Sequence, residues 1–95
     1  MADLPKYQLK RLTEDGAVRA TPCRIMAIEI QDVAADCTVE LTNDADGLGT
    51  NVLVVTCAAE QGGTFRDYTG LGGVYFSSKC YCDLTNADAV HFWVD

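Results

Sequence analysis

Five cysteines are the residues of this 95-residue chain that most readily do chemistry, and two of them stand two positions apart in KCYCDLT. They are Cys23, Cys37, Cys57, Cys80 and Cys82. A structural zinc site usually draws four ligands from tight turns with C-x2–4-C spacing, so Cys80-x-Cys82 would need two more cysteines to converge on it. Alternate residues of a strand share a face, and a buried cysteine packs like a small hydrophobic side chain. We therefore favour packing over zinc for this pair.

Disulfide bonds are a third interpretation of the same cysteines. The pairs to consider are Cys37 with Cys82 and Cys57 with Cys80, if their strands are neighbours. An odd number of cysteines leaves a thiol over for a bond between subunits. The opening MADLPKYQLK has no apolar segment of the signal-peptide kind. We therefore expect synthesis in a reducing cytoplasm, where an obligatory disulfide framework is rare.

Nucleophilic catalysis has few candidate residues in this sequence. It needs a base within reach of a hydroxyl or thiol group, and the one histidine is His91, on the polar side of a predicted strand. Ser77 and Ser78 fall in a predicted turn, and no G-x-S-x-G elbow surrounds either. We expect neither enzyme activity nor a cofactor, and we interpret His91 as a surface or interface residue.

Two loops have partial resemblance to ligand-binding motifs. NDADGLG places Asn43, Asp44 and Asp46 ahead of Gly47, as calcium loops do, but it lacks the distal glutamate. We favour a hairpin loop, in which Asn, Asp and Gly tolerate positive φ. TGLGG has glycines without a following helix to bind phosphate, and it predicts a tight turn into residues 74–76.

The elements that must position these residues are strands, because alternation with a period of two dominates the chain. It predicts strands in CRIMAIEIQ, DCTVELTN, KCYCDL and AVHFWV, and a strand covered on both faces in NVLVVTCAA. Asp15-Gly16 predicts a hairpin, and TNAD predicts a link between the last two strands. The predicted fold is all-β: a single-domain antiparallel β-sandwich, jelly-roll-like, over residues 13–95, with an extended N-terminal arm over residues 1–12.

The charge of the chain limits its partners. Fourteen acidic residues against seven basic ones give a net charge of −7, whereas nucleic-acid binding depends on many Lys and Arg contacts to phosphate. We expect neither nucleic acid nor a membrane as a partner, and no apolar run approaches the ~20 residues of a membrane span. Basic residues gather in the first quarter, which suggests docking on an acidic neighbour. They are Lys6, Lys10, Arg11, Arg19 and Arg24.

Aromatic residues on the polar side of strands are candidate contacts as well. Tyr81 and Trp93 have this placement. Together with His91 and the five basic residues, they form the predicted set of interface residues.

The C-terminal sequence GLGGVYFSSKCYCDLTNADAVHFWVD resembles the end of a group of small all-β bacteriophage virion proteins. The shared pattern is a glycine, an apolar pair, serine, a short strand ending in Asp-Leu-Thr, a turn, and a final aromatic strand. PCRIMAIEIQ and CTVELTNDADGLGTNVLVV fit the earlier strands, so the resemblance covers about residues 16–95. Lys79 stands where glycine is common. Cys80 and Cys82 replace aliphatic residues, which agrees with packing and leaves cross-linking open.

The resemblance implies a structural virion protein. The first expectation is a capsid decoration or cement protein on the outer head surface, bound to the major capsid protein or other virion proteins, with a homotrimer favoured. A tail, neck or fibre-base component is the alternative. Two other classes stay open. One is a carbohydrate- or ligand-binding module that uses Trp93, Tyr81 and Tyr75, and the other is a small enzyme or metalloprotein built on the cysteines.

Overall fold

Two long antiparallel strands form the spine of the protein. The computed structural model describes residues 7–43, 51–58 and 63–95, without the side chains of residues 32–34. Its strands are β1 (Gln8–Leu12), β2 (Gly16–Arg19), β3 (Cys23–Thr42), β4 (Asn51–Cys57), β5 (Gly63–Asp67), β6 (Val74–Phe76) and β7 (Cys80–Val94). β3 and β7 pair along most of their length, from Ile25 opposite Val94 to Thr42 opposite Tyr81.

The other strands attach to the two edges of this spine. β1 and then β2 pair with the outer edge of β7, whereas β6, β5 and β4 follow one another along the outer edge of β3. All seven strands therefore belong to one antiparallel sheet, which curls until it is nearly barrel-shaped. The predicted all-β class is confirmed. The jelly-roll detail is not confirmed by this strand order.

A bend divides the sheet into two halves. Val33 pairs with Ala87 and Thr38 with Thr85, so four residues of β3 (34–37) lie opposite the single residue Asn86 of β7. Asn86 has φ 62°, a conformation that asparagine tolerates better than most residues. Its side-chain amide donates a 3.0 Å hydrogen bond to the carbonyl oxygen of Asp36 on β3. The bend is thus fixed on both strands of the spine.

We name the two halves after their N-terminal strands. The β1 half comprises β1, β5 and β6 with residues 23–33 and 87–94. The β2 half comprises β2 and β4 with residues 37–42 and 80–85. Each half turns one face toward the other, and one hydrophobic core fills the space between them. Its buried members are Val18, Cys23, Ile25, Ile28, Ile30, Cys37, Val39, Leu41, Val55, Cys57, Phe76, Cys80, Cys82, Val90, Phe92 and Val94.

The chain around Asp15-Gly16 differs from the predicted hairpin. β1 and β2 pair with β7 one after the other instead of with each other, with Leu12 opposite Val90 and Gly16 opposite Cys82. A carboxylate oxygen of Asp15 accepts a 2.7 Å hydrogen bond from the backbone N–H of Leu84, so this acid ties the junction to β7. The hairpin prediction is wrong because the edge of a longer strand competed with local pairing. Residues 8–12 of the predicted arm form β1, and residues 1–6 lie outside the described part.

The strands are also longer than their sequence patterns predict. CRIMAIEIQ and DCTVELTN are the two ends of β3, and β7 continues through TNAD, where Asn86 bends the strand without ending it. A bulge between Ile25 and Ala27 shifts the alternation, so Ile25 joins Ile28 and Ile30 in the core. Bulges of this kind add one residue to one strand and change which side chains face inward.

Met26 is buried on the opposite side, beneath the predicted TGLGG turn. The backbone N–H of Tyr68 donates to the carbonyl oxygen of Met26 (2.8 Å), and that of Gly73 donates to the carbonyl oxygen of Tyr68 (2.9 Å). A Cβ atom at Gly73, which has φ 87°, would lie 2.5 Å from the sulfur of Met26. Glycine is therefore favoured here by its conformation, and a larger residue would have to displace the Met26 side chain. The turn leads into β6, as predicted.

Candidate functional site

The outward face of the β1 half carries a continuous group of apolar and charged side chains. Register places Leu9 opposite Trp93 and Arg11 opposite His91 across β1 and β7. Glu29 of β3 lies opposite His91 on one side and Phe65 of β5 on the other. Directly opposed residues share a face of the sheet. We name this group the outer patch: Leu9, Arg11, Glu29, Phe65, His91 and Trp93.

Two aromatic rings form the centre of the outer patch. Phe65 and Trp93 are held on strands at either side of β3, and their ring centroids lie 5.8 Å apart in an edge-to-face arrangement at 80°. The residue of β3 opposite Trp93 is Ala27, whose small side chain leaves room for the rings to meet above it. Phe65 remains 52% exposed and Leu9 60% exposed. The face therefore presents apolar surface on paired strands of the sheet.

A polar network borders the rings. Nδ1 of His91 lies 3.4 Å from Oε1 of Glu29, and the side-chain amide of Gln31 donates a 3.0 Å hydrogen bond to the same oxygen. The His91 ring also tilts toward Trp93, with centroids 6.4 Å apart. Within the described part of the chain, Nδ1 of His91 is buried without a hydrogen bond. This arrangement places one carboxylate and one imidazole beside the two aromatic rings.

The four predicted basic interface residues that the structure describes do not gather on one surface. Arg11 is in the outer patch, and Lys10 is exposed on the other side of the same strand, opposite Phe92. The guanidinium of Arg19 donates to the side-chain oxygen of Gln8. Arg24 lies over the ring of Tyr75, 5.6 Å from its centroid. Lys6 lies outside the described residues.

The predicted aromatic platform is not assembled. Tyr81 lies in the β2 half, opposite Ala17 and Thr42, whereas Trp93 lies in the β1 half. Tyr75, 57% exposed, has Arg24 against its ring. Sequence reasoning missed Leu9 and Phe65 as partners of Trp93. Phe65 stands in the short GTFRD stretch, where five residues are too few to establish a period, although the glycines before it signal a turn into a new element.

All five cysteines are buried and carry free thiols. Cys80 and Cys82 are fully buried, and burial raises the pKa of both, that of Cys82 to about 12. The Cys23 side chain hydrogen-bonds that of Cys80, and Cys37 lies directly opposite Cys57 across β3 and β4. The cross-strand neighbours therefore differ from the pairs considered from the sequence, Cys37 with Cys82 and Cys57 with Cys80. The register of β3 is displaced at the bend, which places Leu41, not Cys37, opposite Cys82.

Metal sites find no further support among the described residues. No group of three or more His, Cys, Asp or Glu side chains there could hold an ion. Both polar atoms of the Asn43 side chain bond the 77–79 turn, where the amide donates to Oγ of Ser77 (2.9 Å) and the carbonyl oxygen accepts from the N–H of Ser78 (2.8 Å). The Asn43 side chain thus stabilises the 77–79 turn through hydrogen bonds. The other calcium candidates, residues 44, 46 and 47, lie outside the described part.

Comparison of the chain with models of protein families, with curated proteins and with solved structures finds no match in any of the three. In the described ranges, no helix has the length and apolar character needed to cross a membrane.

Proposed function

We propose that this chain is a structural virion protein that binds the outer surface of an assembled phage head and stabilises it, as the resemblance of its C-terminal sequence implies. The observation that carries the proposal is the outer patch, where Leu9 and Phe65 are largely exposed around Trp93. Aromatic residues and arginine are enriched at protein interfaces. A few such anchors at the centre of a contact usually carry most of its binding energy.

The strands that carry the outer patch also favour a structural role. Its residues stand on four neighbouring strands, including both members of the spine, so docking would need little rearrangement of the backbone. Preorganised surfaces lose less conformational entropy on binding than flexible ones. The net charge of −7 makes an outer location more favourable than contact with packaged DNA. Repetition of a weak contact over a trimer would multiply its effect through avidity.

Immunogold labelling of virus particles from cultures in which the chain is made tests the proposal. Label over the whole head is expected. Label confined to one pole would move the protein to the tail, neck or fibre base, which is the alternative within the same class. Particles without label would overturn the virion proposal. Light scattering of the purified protein tests the trimer separately, and a monomer at every concentration would contradict it.

A matched pair of double variants tests the role of the outer patch. Leu9→Ser with Phe65→Ser removes exposed apolar surface from the β1 half, and Val52→Ser with Val54→Ser removes it from the β2 half, where these valines are 46% and 49% exposed. We expect only the first pair to abolish labelling of particles. Equal loss in both would contradict the assignment of the docking surface to the outer patch.

Binding of a carbohydrate or another small ligand is the second candidate function. It is favoured by the ring of Trp93, which has the polar groups of His91 and Glu29 nearby. Trp93 is the only tryptophan in the chain, so its fluorescence reports directly on this site. A saturable change in emission with an oligosaccharide, lost in Glu29→Gln, would support this function. A flat titration across neutral and acidic oligosaccharides would exclude it.

A further inference from the structure

Two of the buried thiols, those of Cys37 and Cys57, are close enough for a disulfide bond, and neither residue belongs to the outer patch. Cys37 and Cys57 are cross-strand partners at the last pair of the β3–β4 ladder. Directly opposed residues of antiparallel strands have Cα atoms about 4.5–5.5 Å apart, which lies within the range of about 4.4–6.8 Å that a disulfide spans. The two side chains are also within hydrogen-bonding contact. Bond formation would thus need little movement of the backbone.

A surface depression is lined by both of these cysteines. It has a volume of about 290 Å³, comparable to the smallest ligand pockets. The residues that line it are Asp36, Cys37, Thr38, Thr56, Cys57 and Ala58. The thiol of Cys57 donates to the carbonyl oxygen of Ala58 at 3.6 Å, which keeps it at this end of the strand. The two cysteines, each 2% exposed, therefore border a depression that a small reagent can enter.

The other three cysteines are less suited to the same step. Cys80 and Cys82 are 0% exposed, and Cys80 contacts Cys23 inside the core. Exchange requires a thiolate, and burial raises the pKa of Cys82 to about 12, with further increase from Asp15 and Asp83. Burial also raises the pKa of Cys37, which slows formation of its thiolate.

We propose that Cys37 and Cys57 form a disulfide site that a low-molecular-weight disulfide, such as glutathione disulfide, oxidises in the folded protein. One thiol loses its proton and attacks a sulfur of the reagent, which releases one glutathione thiolate. The second thiol then loses its proton and displaces the other glutathione from the mixed disulfide. Two protein thiols are oxidised to one disulfide, and one glutathione disulfide is reduced to two glutathione thiols, which take up the two protons.

The distribution of cleavage sites in the sequence gives a direct test. Trypsin places Cys37 and Cys57 on the single peptide 25–66, Cys23 on peptide 20–24, and Cys80 with Cys82 on peptide 80–95. The folded protein is treated with glutathione disulfide, alkylated and digested. We expect peptide 25–66 to lose two hydrogen atoms in mass and to take up no alkylating reagent. Additional cleavage after Glu40 should leave its two parts joined only by the disulfide.

Two controls define what would overturn the proposal. The protein unfolded in urea and treated with the same reagent must oxidise, which establishes that the reagent is active. Cys57→Ala should instead accumulate a glutathione adduct on Cys37, because no second thiol can displace it. A peptide 25–66 that remains fully alkylated in the folded protein would overturn the site. So would a link between peptides 20–24 and 80–95 in its place.

Discussion

The two halves of the sheet both contribute apolar side chains to one core but have different outer faces, although β3 and β7 run through both. Aliphatic side chains fill the core from each half. On the outside, the β1 half presents Phe65 and Trp93, whereas the β2 half places Glu40 directly opposite Asp83. Like charges at opposed positions destabilise a sheet slightly, and one oxygen of Glu40 accepts a 2.8 Å hydrogen bond from the side chain of Asn51. The bend at Asn86 therefore separates an outer face centred on two aromatic rings from one that carries opposed carboxylates beside the exposed Val52 and Val54.

The inner faces differ in their chemistry as well. Four of the five cysteines lie in the β2 half, and only Cys23 lies in the β1 half. Cysteine fills less space than the aliphatic residues that occupy the β1 half, so the two sides of the core pack with side chains of different size. The thiol groups of the β2 half can also lose a proton at high pH, whereas aliphatic side chains cannot.

The largest expected effect tests whether the two halves are one cooperative unit. Phe92→Ala in the β1 half should cost about 3–5 kcal/mol, and Leu41→Ala in the β2 half about 2–5 kcal/mol, because each empties a fully buried position. Since both side chains belong to one core, thermal unfolding followed by two probes should show a single transition in each variant. Thr85→Ala, on the outer face, should stay within about 0.5 kcal/mol. Separate transitions would show two independent halves.

Alkaline stability should distinguish the thiol-rich β2 half. The pKa of Cys82 is raised from 9.0 to about 12 in the folded protein, mainly by burial. The folded value is the higher one, so the contribution of the thiol to stability is fully present below pH 9 and is lost as the pH rises toward 12. Over this range Cys82 should lower the free energy of unfolding by about 1.4 kcal/mol per pH unit, and Cys82→Val should remove that part of the slope. Urea unfolding on both sides of pH 9 measures it.

The control for this experiment is Val39→Ala, which destabilises the same half without removing a thiol. Its free energy of unfolding should fall with pH as steeply as that of the wild type. If Cys82→Val also retains the wild-type slope, the buried thiol does not govern alkaline unfolding.

The bend between the halves should be sensitive to one residue. Asn86→Ala forces an alanine to adopt φ 62° and removes the bond to Asp36, which should cost about 1–3 kcal/mol. Asn86→Gly should recover part of this loss, because glycine adopts positive φ without strain. Chemical denaturation measures both. If the glycine variant is as unstable as the alanine variant, the hydrogen bond rather than the backbone conformation maintains the bend.

The smallest expected effect concerns the aromatic pair on the outer face. A double-mutant cycle with Phe65→Ala and Trp93→Ala should give a coupling of about 0.5–1.5 kcal/mol, the usual value for an edge-to-face pair. Val54 and Glu40, opposed on the outer face of the β2 half, provide the control cycle, with a coupling close to zero. Equal coupling in both cycles would remove the energetic distinction between the two outer faces.

Much of the candidate site could not have been predicted from the sequence. Trp93 and His91 were identified from their position on the polar side of the last strand. Leu9 and Phe65 were not, because they are distant in sequence and meet Trp93 only through pairing with β7 and β3. The pair Cys37–Cys57 was missed for a related reason, since the two residues meet only through the pairing of β4 with β3. NVLVVTCAA was expected to be covered on both faces, yet Val52 and Val54 are exposed.

The sequence by itself determined the all-β class and most of the inward-facing residues, because alternation with a period of two is a local property of each strand. It also determined the turn at Gly72 and Gly73, where backbone conformation restricts the choice of residue. Tertiary structure alone decided which strands are neighbours, that β1 and β2 lie in tandem along β7, and where β3 and β7 bend. Those outcomes depend on which distant strand edges form hydrogen bonds with each other. A local sequence pattern does not predict that choice.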